Sequence, residues 1–108
     1  ILFRQDPKRP PNKLGIAHRE GWVAYHLGTT LFIKRFDRVE NGCYPDGGVN
    51  FETFSNEEIL ELESLGPLTT LAPGRSVIHR ETWSLHRNVP PCRTEADFAR
   101  IAKLAAKC

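Results

Sequence analysis

The stretch "GPLTTLAPGRSVIHRETWSLH", Gly66 to His86, decides how this 108-residue chain is read. Pro73-Gly74 is a turn pair flanked by apolar and β-branched residues. The stretch therefore predicts a strand, a tight turn and a longer strand that close a hairpin. On the longer strand His79, Glu81 and Trp83 take alternate positions and so share one face. Histidine beside a carboxylate can move a proton, and an indole offers a flat apolar platform for a sugar ring. The structural alternative is a polar pair beside a core tryptophan.

Working upstream, "KLGIAHRE", "WVAYHL" and "LFIKRF" are β-rich segments separated by the short turns "EG" and "GTT". They predict an antiparallel meander. Trp22 and Tyr25 face opposite ways on their strand, so one of them belongs to the core. His18 and His26 read as structural histidines. "VNFETFS" and "ILELES", joined by "NEE", are the next strands. Alternation sets Val49, Phe51 and Thr53 on one face and Asn50, Glu52 and Phe54 on the other. Ile59, Glu61 and Glu63 oppose Leu60 and Leu62 in the same way. The proline-rich start "ILFRQDPKRPPNK" reads as an edge strand or arm followed by a loop. "DRVENGCYPDGG" is a long loop, either a functional candidate or a plain surface connection.

The tail changes character. "TEADFARIAKLAAK" predicts a helix with Thr94 as N-cap and Asp97 three residues on. Phe98, Ile101, Ala102 and Ala105 form its apolar stripe. The expected architecture is all-β, an antiparallel β-sandwich over residues 1–93, with a C-terminal α-helix over 94–108.

Composition narrows the function classes. Hydrophobic residues are 40% and charged residues 26%, the balance of an ordinary globular chain. A net charge of +2, with both signs interspersed, argues against a nucleic-acid partner. No apolar run approaches the roughly 20 residues of a membrane-spanning helix. Cys43, Cys92 and Cys108 include no CxxC pair and read as free cysteines, with no metal site. No phosphate-binding glycine loop, GxSxG elbow or HExxH motif occurs, and no cofactor is implied. The chain opens at Ile1 with neither an initiating Met nor a signal-peptide pattern, and reads as a piece of something longer.

The strongest chemical signal is Glu61 with Glu63. On one strand their side chains share a face about 7 Å apart. Like charges so placed repel, and partial enclosure raises the pKa of one, as a general base near neutral pH requires. The alternative is a solvent-facing strand with acidic residues outward.

Residues Asn12 to Leu85 resemble an uncharacterised bacterial family within the galactose mutarotase-like (aldose 1-epimerase) superfamily. The resemblance is carried by "GW-AY" at Gly21 to Tyr25, "LFIKRF" at Leu31 to Phe36, "YPDGG-N-E" at Tyr44 to Glu52, and above all "LELESLGPLTTLAPG" at Leu60 to Gly74. It implies part of a β-supersandwich whose concave sheet binds a carbohydrate. It implies Glu63 as the glutamate that takes the anomeric proton, with Glu52, Glu61, His79 and Trp83 as carbohydrate contacts. The histidine that completes such an isomerase lies upstream, in sequence this chain does not contain. The other expectation is a non-catalytic structural or interaction domain, a homodimer formed through exposed sheet edges.

Overall fold

The computed structural model describes residues 1–107. Strands dominate it, arranged as two antiparallel three-stranded sheets, and a helix follows near the C-terminus. The chain forms two compact units, one from Ile1–Arg19 and Arg38–His79, the other from Glu20–Asp37 and the chain from Arg80 onward. The expected boundary at 93/94 separates types of element; these units are separated by packing.

The first unit holds β1 (Asn12–Ile16), the helical turn α1 (Pro45–Gly48), β4 (Phe51–Ser55) and β5 (Glu63–Ser64), with sheet order β1-β4-β5. Between β1 and β4 in sequence come β2 (Trp22–Leu27) and β3 (Thr30–Phe36), which belong to the second unit. The expected meander is therefore broken at its first step. β1 pairs with β4, Leu14 opposite Thr53 and Ile16 opposite Phe51, and not with β2.

The cause is Asn50, whose relative exposure is 1%. Its side-chain oxygen accepts from the His18 N–H and its Nδ2 donates to the His18 carbonyl at 2.9 Å. Its own N–H donates to Ile16 O, and its carbonyl accepts from Leu65 N–H. The side chain and backbone of Asn50 are thus satisfied by two other segments at once, residues 16–18 and Leu65, and tie the end of β1 and the residue after β5 to the start of β4.

The segment "ILELES" is only partly the strand expected. Glu63–Ser64 alone forms β5, while Leu60 makes a single bridge to Ser55 and the Glu61 N–H donates to Phe54 O at 2.8 Å. These pairings keep the register of Glu52 opposite Glu63. Thr53 breaks the regular ladder between them, its hydroxyl donating to the Glu61 carbonyl at 2.7 Å.

The hairpin expected from Gly66 to His86 does not form. The Pro-Gly turn does: Arg75 N–H donates to Ala72 O, with Gly74 at φ 76°. Its arms are unpaired as strands, and β6 begins only at Glu81 (Glu81–His86). The reason lies in the partner strand. β3 ends at Phe36, which faces Glu81, so residues before Glu81 have no strand to extend along. The long 37–48 loop is likewise pinned: the Tyr44 hydroxyl accepts from Val39 N–H at 2.8 Å, and Leu68 N–H donates to Cys43 O.

In the second unit the sheet order is β2-β3-β6. Leu31, Ile33, Val89, Ile101 and Ala105 are its buried core, joined by Trp22, Ala24, Cys92 and Leu104. Ile101 and Ala105 come from helix α2 (Glu95–Ala105) and are the buried part of its apolar stripe, while Phe98 of the same stripe stays 49% exposed. Trp22 is the core residue of the Trp22/Tyr25 pair, and its ring lies 5.7 Å from that of Phe98. Thr94 and Asp97 close a reciprocal capping box. The Arg93 N–H, the Thr94 hydroxyl and the Thr94 N–H hold the Asp97 carboxyl below its usual range. His26 is tied to Val89 O at 2.8 Å.

Two substitutions test these supports in urea unfolding. Thr94→Ala removes the cap and is expected to cost about 1 kcal/mol. Asn50→Ala leaves the buried backbone groups of His18 without their partners and is expected to cost roughly 2–3 kcal/mol. Hydrogen exchange should then speed up at amides of β1 and β4 while those of β3 keep their protection.

Candidate functional site

Strand register collects the candidate residues on the first sheet. In an antiparallel pair, opposite residues point to the same face. Lys13 opposes Phe54, Gly15 opposes Glu52, and Glu52 opposes Glu63. The Glu61–Phe54 hydrogen bond adds Glu61 to the same register. Lys13, Glu52, Phe54, Glu61 and Glu63 therefore share one face. The pairing of Glu61 with Glu63 on one side, expected from alternation alone, extends to Glu52.

Glu52 and Glu63 sit directly across from each other, which by itself is destabilising for like charges. Lys13 relieves it. Its ammonium lies 2.6 Å from Glu52 Oε2 and 3.6 Å from Glu63 Oε2. Glu52 is buried, Glu63 half-buried and Glu61 exposed. The hydrogen bond from Lys13 holds the Glu52 carboxyl below its ordinary value of 4.5, and Asp46 also reaches that carboxyl. The same contact raises Lys13 above 10.5. For Glu52, which the resemblance names among the carbohydrate contacts, the direction is opposite to that of a base tuned toward neutrality.

Neither His79 nor Trp83 stands on a strand of the first sheet. His79 precedes β6 and belongs to the first unit, where its Nε2 lies 2.8 Å from Ser64 Oγ. Ser64 follows Glu63 on β5 and pairs with Phe51, so it points to the other side of the sheet. Trp83 belongs to the second unit and is 65% exposed. Its Nε1 donates to Glu81 Oε2 at 2.8 Å, its ring meets Phe32 edge-on, and Lys34 Nζ lies 5.7 Å from its centroid. The shared face of His79, Glu81 and Trp83 is thus a correction: the first of the three lies outside the strand. Glu81 and Trp83 do share a face, and Glu81 serves as the partner of buried Lys34 at 3.0 Å.

Lys13 is the residue that strand-by-strand reading missed. It lies about forty residues from Glu52, and only the pairing of β1 with β4 joins them. A surplus of carboxylates without an adjacent cation was the available signal. Among the described residues Cys43 and Cys92 are free, no His/Cys/Asp/Glu group is arranged for a metal ion, and no helix is long and apolar enough to cross a membrane. Cys108 lies outside the described residues.

Chemically, the face offers carboxylate acceptors, an ammonium donor and an aromatic ring within one short sheet. The ion pair makes stability pH-dependent in two windows. The lowered Glu52 pKa contributes stability that is present above 4.5 and lost as pH falls through its folded value. The raised Lys13 pKa contributes stability that is present below 10.5 and lost as pH rises through its folded value. NMR titration of the Glu52 carboxyl carbon should show a midpoint below 4.5, moving upward in Lys13→Met. A midpoint unchanged by that substitution would contradict the pairing. A scan against protein-family models, a search of curated proteins and a search of solved structures each found no match to this chain.

Proposed function

We propose that this chain recognises a carbohydrate through the Lys13, Glu52, Glu61 and Glu63 face of its first sheet. One observation carries the reading: Lys13, Glu52, Phe54, Glu61 and Glu63 share one face of the sheet, and the Lys13 ammonium reaches both Glu52 and Glu63. Sugar hydroxyls both donate and accept, so carboxylates and an ammonium can each find a hydrogen-bond partner on one ligand. The aromatic ring supplies the apolar contact that the C–H side of a pyranose needs.

The resemblance to mutarotase-like proteins supports the same ligand class, and adds the expectation of a β-sandwich belonging to a larger supersandwich. Under it Glu63 would accept the anomeric proton. Lys13 Nζ lies 3.6 Å from that carboxylate. Isomerase activity would further need a proton donor for the ring oxygen, a histidine in the family the chain resembles.

A panel of galactose, glucose, mannose and xylose tests the proposal by thermal shift and amide chemical shifts. A binding sugar at about a hundred times its Kd should stabilise the fold by about 2.7 kcal/mol. The perturbed amides should cluster around Lys13, Glu52, Glu61 and Glu63. Glu61→Ala and Glu63→Gln should each weaken binding by about tenfold, the loss of one charge-assisted hydrogen bond. If no sugar shifts the melting temperature or any amide of the first sheet, the proposal fails.

A further inference from the structure

Among the described residues β6 is the last strand of the second sheet, laddered to β3 on its inner side. Trp83 and Leu85 stand on one face of this edge strand with 65% and 64% exposure. Thr82 and Arg87 are also exposed. An edge with two large exposed apolar side chains is a template for another strand.

We infer that the strand it takes is β6 of a second copy, paired antiparallel about a two-fold axis through Ser84. A two-fold axis normal to the sheet keeps each residue on its own face, so a residue can oppose only mates of its own parity. Four registers centred inside the strand then compete. Centred on Ser84, the pairing sets Trp83 against Leu85 of the second copy, Glu81 against its Arg87, and Thr82 against its His86. Every apolar residue meets an apolar one, and the acidic end of one strand meets the basic end of the other. Centred on Trp83, Leu85 would face the Glu81 carboxylate. Centred on Thr82, Trp83 would face Glu81 and Leu85 would find no mate within the strand; centred on Leu85, Trp83 would face the Arg87 cation and Glu81 would find no mate within the strand. Cross-strand chemistry selects the first.

The contact is small. Six residues a side, with two aromatic–aliphatic pairs, bury less than the about 1,200 Å² of a standard interface, which makes this a weak, concentration-dependent dimer. Its symmetry is closed, so association stops at two. β6 belongs to the second unit, and Lys13, Glu52, Glu61 and Glu63 to the first.

Sedimentation velocity on the full chain, from about 5 µM to about 1 mM, tests it. The expected result is a monomer that becomes a dimer across that range. Leu85→Lys and Arg87→Glu alter exposed positions, so both variants should keep the circular dichroism of the parent while weakening the dimer by at least about tenfold. Register has its own readout: with Cys43, Cys92 and Cys108 replaced by Ser, Ser84→Cys should oxidise to a disulfide-linked dimer and Trp83→Cys should not. A chain still monomeric at the highest concentration overturns the inference. So does a dimer indifferent to Leu85→Lys, or cross-linking through position 83 in preference to 84.

Discussion

The first unit depends on a single buried amide. Asn50 gives one face of its side chain to the backbone of His18 and its own backbone to Ile16 and Leu65. Without this clamp, β1 would have only a five-residue ladder to hold it to β4. A short two-stranded pairing is marginal in water, and the two residues of β5 add little on their own. The buried Asn50 converts three weak segments into one sheet because none of them can leave without stranding a polar group away from water. The candidate site inherits that dependence, since Lys13 reaches Glu52 only while β1 stays in register.

The site also shows how a sheet tolerates acidic residues placed side by side. Glu52 opposite Glu63 is unfavourable at a cross-strand position, and the cation that compensates comes from the next strand over. This is a diagonal contact, within reach of a long lysine side chain. The face is polar and, with three carboxylates to one ammonium, keeps a net negative charge.

What could be read along the chain was local. The β2–β3 hairpin, the Thr94 capping box, the buried stripe of α2 and the Pro73-Gly74 turn all rest on residues within a few positions of each other, and all are present. What failed was partnership across the chain. β1 was expected beside β2, but its mate is β4, chosen by an amide more than thirty residues away. Val77 and Ile78 have strand-forming side chains and remain exposed, because β3 stops at Phe36. Propensity describes a residue's fit to a pleated surface and says nothing of whether a neighbouring strand is there. Alternation alone brought Glu61 and Glu63 together, and it had no means of finding Lys13.

The Glu81–Trp83 segment illustrates the same point from the side of chemistry. A carboxylate two residues from an indole invites a ligand-binding reading. Here, however, Lys34 is buried in mid-strand and must have an anion, and Glu81 is the anion that supplies it. Removing one member of such a pair leaves an uncompensated charge in the interior, a far larger penalty than the pair's net contribution. Glu81 is therefore committed to the fold before any ligand arrives. Trp83, held by the other oxygen of Glu81 and by the edge of Phe32, presents a fixed apolar surface at the rim of the sheet. Fixed, exposed and at an edge, it is better suited to meeting another strand than to closing over a sugar.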